Sequence, residues 1–175
     1  NEKGFRGASV EGISATLNLT KGAFYHHHAS KDDLVAQCFE RSFDVIRDTQ
    51  LQAMARTSSG VQRLLASSFA LVRFQLSDQG PLLRSSARSV LAESPRRDTM
   101  QRGNQLTQRF ALFIVDGMVE GALRAVDATL AAQQVGAMIN AASSLRWWVP
   151  GIHADDVVRL FARPLFTGLL SPQPA

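Results

Sequence analysis

No stretch of this sequence keeps the two-residue apolar–polar alternation of a half-buried strand, and no two-residue hairpin turn separates a pair of strand-like runs. Apolar residues instead recur three and four positions apart over nearly the whole length. That is the spacing of one buried face of an α-helix. The chain is therefore expected to be all-α. Its 175 residues leave room for one compact domain or for a small module joined to a larger one. With 45% apolar and 19% charged residues it can bury a core and is not a disordered tail.

Turn chemistry divides the helical pattern. Short helices are expected over 9–17, with Val10, Ile13 and Leu17 on one face, and over 21–27, with Thr20 as N-cap. Asn18 lies between them and tolerates the left-handed conformation of a tight turn. Ser30-Lys31-Asp32-Asp33 reads as a variant capping box, with Asp in place of Glu, opening a long helix over about 31–56. Thr57-Ser58-Ser59-Gly60 ends it. Further helices are expected over about 61–77, 82–93, 96–125, 128–148 and 154–170, with Asp127 capping the 128–148 helix. Pro164 falls inside the last pattern and should kink or divide that helix near Ala162.

Two short helices joined by a three-residue turn cannot build a core alone, but they suit a helix-turn-helix packed on other helices. The second would lie in the DNA major groove. Lys21 offers a cation to phosphate or guanine; Gly22 and Ala23 let the backbone approach base edges; Tyr25 and His26 can donate to phosphates; and Lys31 adds a cation at the start of the next helix. The expected DNA-contacting set is Ser9, Thr20, Lys21, Gly22, Ala23, Tyr25, His26 and Lys31. Phe24 reads as core. The net charge of +4 is too small to argue for nucleic acid by itself.

Gly4-Phe5 followed by ASVEGISATLNLTKGAFYHHHASKDDL over 8–34 resembles the DNA-binding domain of TetR-type transcriptional regulators. Asp116-Gly117-Met118-Val119-Glu120-Gly121 with Leu123-Arg124, and the terminal Gly168-Leu169-Leu170, resemble that family's regulatory part more weakly. Ala8, Asn18 and His28 depart from the family pattern, where Thr, Gly and Phe are usual. The family's opening helix is expected upstream of Asn1, where the chain shows neither an initiator Met nor an apolar leader. The resemblance implies a homodimeric, ligand-responsive repressor. Its DNA-binding head would occupy residues 1–34 and its helical regulatory and dimerisation body 35–175. A regulator without an effector, or an activator, is the alternative.

Two sets of body residues follow. Val135, Met138, Ile139, Ala142 and Leu145, with Val157, Val158, Phe161, Leu165 and Leu169, recur at helical spacing and are expected to form a two-fold, four-helix dimer interface. Phe69, Val72, Leu83, Phe110, Phe113, Ile114 and Met118, with Trp147 at the rim, are expected to line an apolar effector pocket. Only Arg73, Asp116 and Glu120 supply charge near it, so a lipophilic or aromatic effector with at most one polar anchor is expected. Asp116 and Glu120 read as a polar helix edge paired with Arg124, and Gly117 and Gly121 as a close approach of two helices.

Other chemistries lack residues. There is no G-x-S-x-G, H-E-x-x-H, P-loop or dinucleotide fingerprint, so no enzyme and no cofactor are expected. Consecutive helical residues point about 100° apart, so His26-His27-His28 cannot share one metal ion. The single Cys38 permits no internal disulfide or cysteine zinc site, and a reducing cytoplasm is the expected setting. The least charged run, 125–145, holds Asp127, three amides and two serines, so no membrane span is expected. Replacing Lys31 with Ala should weaken DNA binding about equally on all sequences and flatten its log–log salt dependence by ~1. Operator affinity unchanged in both Lys21→Ala and Lys31→Ala would remove the reading helix from this segment.

Overall fold

The computed structural model describes residues 30–170. The two short helices expected over 9–17 and 21–27 lie outside the described residues. Within them the order is α1 Lys31–Arg56, α2 Gly60–Gln75, a 3-10 helix Ser85–Val90, α3 Glu93–Val119, α4 Ala128–Ala142, α5 Leu145–Trp148, α6 Ala154–Asp156, a π-helical segment Val157–Ala162 and α7 Arg163–Thr167. An isolated antiparallel bridge, Leu123 to Leu170, is the only strand-like pairing among the described residues.

The element ends follow from local chemistry. The Ser30 hydroxyl accepts the Asp33 N–H at 3.0 Å and so caps α1. Ser59 is extended at φ −70° and caps α2 by accepting from the Gln62 N–H. Asp127 does the same for α4, accepting from the Leu130 N–H at 2.8 Å. The α3 helix starts before Pro95 rather than after it, because a proline in the first turn gives up an N–H that has no partner there anyway. It also stops sooner than expected. Gly121 turns left-handed at φ 71°, and the N–H groups of Ala122 and Leu123 both return to the Gly117 carbonyl at 3.0 Å.

Three expected helices are altered. Over 82–93 only the 3-10 helix forms. Arg84 provides no side-chain cap, and Ser89 turns its hydroxyl onto the Ser86 carbonyl at 2.8 Å, competing with a longer helix. The 128–148 helix breaks at Ser143-Ser144, where the Ser143 hydroxyl donates to the Asn140 carbonyl at 3.1 Å. The last helix is divided as Pro164 requires, but by a π-helical segment immediately before it. Widening that turn separates the proline ring from the carbonyl it would otherwise strike.

The described residues fall into two compact units, 30–43 with 83–102 and 44–82 with 103–170, and α1 and α3 each begin in the first and end in the second. The first unit buries Phe39, Phe43 and Leu91, with the two phenyl rings stacked 5.9 Å apart. The Ser42 hydroxyl there donates to the Cys38 carbonyl at 2.8 Å and accepts the Leu83 N–H at 3.0 Å.

The second unit has a continuous core. Leu64, Leu71 and Val72 of α2 meet Phe110, Phe113 and Ile114 of α3, Ala132, Val135 and Ile139 of α4, and Val157, Ala162 and Phe166 of the last run. Alanines at 131, 132, 142 and 162 bring helix axes close. Gly60 brings backbones closer still: a Cβ there would lie 2.5 Å from the Gly117 nitrogen and the Phe113 carbonyl oxygen. Of the two glycines expected to seat a helix, Gly117 does so, against Val61 and Leu123. Gly121 touches nothing and serves the turn instead.

Buried amides tie this core together. Gln75 donates to the Ile139 carbonyl at 2.9 Å and accepts the Leu82 N–H at 2.9 Å, joining the end of α2 to α4 and to the loop behind it. Gln50 donates to the Leu106 carbonyl at 3.0 Å. Replacing Gln75 with Leu leaves two buried backbone groups without partners and should cost about 2–4 kcal/mol in urea unfolding. The buried Ser68 hydroxyl has no partner, so Ser68→Ala should stay within ~0.5 kcal/mol of wild type or exceed it. Equal losses for the two variants would contradict this account of the core.

Candidate functional site

The residues expected to read DNA divide sharply. Ser9, Thr20, Lys21, Gly22, Ala23, Tyr25 and His26 lie outside the described residues, as does the rest of the histidine run. Lys31 is the first residue of α1. Among the described residues no group of three His, Cys, Asp or Glu could hold a metal ion.

The residues expected to line an effector pocket sit at different depths. Val72, Phe110, Phe113 and Ile114 are buried in the core of the second unit. Phe69 is half-buried and meets Phe166 edge-on at 5.5 Å. Met118 is half-buried as well, and its sulfur accepts the Val126 N–H at 3.4 Å, supporting the turn after α3. Leu83 belongs to the first unit. Trp147 is 70% exposed. A groove of about 240 Å³ lies between α3 and α4, lined by Asn104, Thr107, Gln108 and Ala111 and by Thr129, Ala132 and Gln133. Its lining carries amides and hydroxyls but no charge.

The three charged side chains expected near the effector are engaged elsewhere. Arg73 pairs with Asp155 at 2.9 Å on the surface. Asp116 pairs with Arg63 at 3.5 Å, and Glu120 caps α2, accepting from the Gly60 N–H at 2.8 Å and the Ser59 hydroxyl at 3.0 Å. The partners of this acidic pair are thus Arg63 and a helix N-terminus, not Arg124. Sequence spacing pointed to the nearest cation on the same helix, whereas the fold delivers partners some sixty residues earlier. The N-terminus of α2 carries unsatisfied donors and partial positive charge, which a carboxylate satisfies.

The expected dimer residues also turn inward. Val135, Met138, Ile139, Ala142, Val157, Val158 and Leu169 are buried within the chain, and Leu145, Phe161 and Leu165 are half-buried against the same core. The exposed stripe of α4 is Leu130, Gln134, Ala137 and Ala141, and Leu160, Arg163, Pro164 and Thr167 form the exposed stripe of the last run. Leu130 is 64% and Leu160 60% exposed. No sequence signal separated these two faces, because both carry apolar residues at helical spacing.

Residues 1–38 match the family model of bacterial regulatory proteins, tetR family. The first 38 residues are thus similar to that family. Across 125 residues it is 28% identical to the HTH-type transcriptional repressor DhaR of a Mycobacterium species, a match covering 70% of this chain and 63% of DhaR. The chain thus spans less than two thirds of that relative's length. A likeness in fold extends over the body. The TetR family transcriptional regulator PfmR from Thermus thermophilus superposes with a TM-score of 0.77 at 22% identity, covering 95% of this chain and 91% of PfmR. AibR, solved in complex with isovaleryl coenzyme A and operator DNA, superposes at 0.76 with 20% identity, covering 91% and 90%. No helix among the described residues is long and apolar enough to cross a membrane.

The Glu120 cap has a pH signature. The Gly60 N–H, with the Ser59 hydroxyl and Arg63, holds its carboxyl below the ordinary glutamate range. A folded-state value below the unfolded one means that this stabilisation is complete above about pH 4.3. It is lost as pH falls through the lower folded-state value. Glu120→Gln should therefore melt lower than wild type at pH 7, with the gap narrowing in acid. A constant gap from pH 7 to pH 3 would contradict the ionic cap.

Proposed function

We propose that this chain is a sequence-specific DNA-binding transcriptional regulator, a repressor released from its operator by a small lipophilic or aromatic effector. The observation that carries this reading is the tetR-family match over residues 1–38, joined to a body with the fold of the same family. Residues 1–34 are the head, reading DNA through Ser9, Thr20, Lys21, Gly22, Ala23, Tyr25, His26 and Lys31. Residues 35–175 are the body, and the protein works in the cytoplasm. The effector is proposed to contact Phe69, Val72, Phe110, Phe113, Ile114 and Met118, with Trp147 at its edge. It acts by preferring the state that does not hold DNA, and its effect cannot exceed that difference in affinity. A gel shift with the fragment upstream of the encoding gene, with and without competitor DNA, tests the regulator. Thermal-shift screening tests the effector, because a ligand of the folded state raises the melting temperature with concentration.

The regulator is further proposed to be a two-fold homodimer through the helices over 128–148 and 154–170. One short reading helix spans few base pairs, and two heads are needed for half-sites ~34–36 Å apart or a multiple of this. The inward residues of these helices serve the monomer core. The proposed contact is therefore the exposed pair of stripes with Leu130, Ala137, Ala141 and Leu160 at its centre. Light scattering at micromolar concentration should give twice the chain mass. The double variant Ala137→Glu with Leu160→Glu should give a folded monomer with much weaker operator binding. A monomeric wild type would remove the dimer.

A further inference from the structure

The groove of about 240 Å³ between α3 and α4 lies wholly within the second unit. Its floor is apolar: Ala111 of α3 is half-buried and Ala132 of α4 fully buried. Its walls are polar. Asn104 and Gln108 stand one helical turn apart on α3, and Thr129 and Gln133 one turn apart on α4. All four are exposed, and none of these side chains makes a hydrogen bond among the described residues. The fifth polar group, the Thr107 hydroxyl, donates to the Gly103 carbonyl at 3.1 Å and can still accept.

Gly136 continues the same face of α4, four residues beyond Ala132 and seven beyond Thr129. Glycine inside a helix is destabilising relative to alanine. Neither packing nor backbone requires it here. A Cβ at Gly136 would meet nothing within 4 Å, and its φ is not left-handed. The missing side chain leaves open space along this wall of the groove. The stripe proposed for the dimer, Leu130, Gln134, Ala137 and Ala141, points roughly 120° away round the helix, so the groove is a separate face.

The lining offers no charge, and the charged residues nearest to it in sequence are engaged. Asp127 accepts the Leu130 N–H at 2.8 Å and so already meets the positive end of α4 beside Thr129. Arg109 donates to Gln50 Oε1 at 3.4 Å, and Arg102 is paired with Glu40. An ionic ligand would give up hydration here without gaining a counter-charge. Amides and hydroxyls, by contrast, serve donors and acceptors alike. With such groups on both walls, the matching occupant carries hydrogen-bonding groups around its whole edge. No aromatic side chain lines the groove, so a planar base has no ring to stack on. The volume is below the ~300–1,000 Å³ of pockets for drug-sized molecules, so the occupant is compact.

We propose that this groove binds a compact, uncharged, polyhydroxylated molecule the size of one sugar ring, held by Asn104 and Gln108 from α3 and by Thr129 and Gln133 from α4. The site is distinct from the effector contacts named above, and the proposal does not rest on them.

The test uses the full chain with a panel of neutral pentoses, hexoses and cyclitols, read by thermal shift and by titration calorimetry. At least one member should raise the melting temperature with concentration and bind at least 10-fold more tightly than glucuronate, putrescine or adenine. Gln108→Ala and Gln133→Ala, both at exposed positions, should each weaken that binding by about 2–10-fold, the range of a neutral hydrogen bond. Gly136→Leu should fill the groove and abolish binding, while its circular dichroism matches wild type and it melts at or above unliganded wild type. Should the leucine variant fold poorly, the two alanine variants carry the comparison. Absence of binding by every neutral member of the panel overturns the proposal. So does binding that is equal in wild type and in all the folded variants, or a preference for the charged or planar probes.

Discussion

At the start of α2 the chain runs so close to α3 that no side chain fits between them. Gly60 lies against the Gly117 nitrogen and the Phe113 carbonyl, and any Cβ there would sit at 2.5 Å from both. That approach leaves the first N–H groups of α2 facing the end of α3, where the Glu120 carboxylate accepts the Gly60 N–H. Sterics and electrostatics thus act at one point: the glycine permits the approach and the acid satisfies the donors it exposes. With this crossing in place, Leu64 and Leu71 of α2 reach Phe113 and Ile114 of α3, and α4 closes over them.

The core built on that crossing is not purely apolar. Gln50 and Gln75 are buried: Gln75 donates to the Ile139 carbonyl, which the last turn of α4 leaves open, and Gln50 adds a bond to the Leu106 carbonyl within α3. Such bonds add little net stability when formed but are costly to lose, so they discriminate against slipped packings of the same helices. The last run solves a different backbone problem. Its π-helical segment widens the turn ahead of Pro164 while Val157, Val158 and Ala162 stay in the core. The irregular turn is the local cost of keeping an apolar face continuous past a proline.

Charge is distributed by a similar economy. Arg63, Arg73, Arg97 and Arg102 each meet a carboxylate. Arg88 meets a phenyl ring instead, with a buried Nε that bonds to nothing.

Much of this protein is legible from sequence because helix starts and stops are local events. Ser30, Ser59 and Asp127 cap the helices where their side chains allow it, and α1 runs over 31–56 as its pattern requires. The KGAFYHHHASKDDL run marks, by residue type and order alone, the segment that matches the tetR-family model. Tertiary structure decides what each helix face meets. Val135, Met138 and Ile139 have the spacing of an interface and of a core equally, and only the packing of α2 and the π-helical segment against α4 makes them core. Glu120 has Arg124 four residues on, yet the fold supplies Arg63 to Asp116 and the α2 N-terminus to Glu120. Arg88 is one arginine among sixteen in the sequence, and its lack of a partner emerges only when Glu40 and Glu93 are seen to be taken. Periodicity and caps are set by neighbours within a few residues, so sequence determines them. Burial and pairing depend on residues brought together from far along the chain, so only the tertiary structure does.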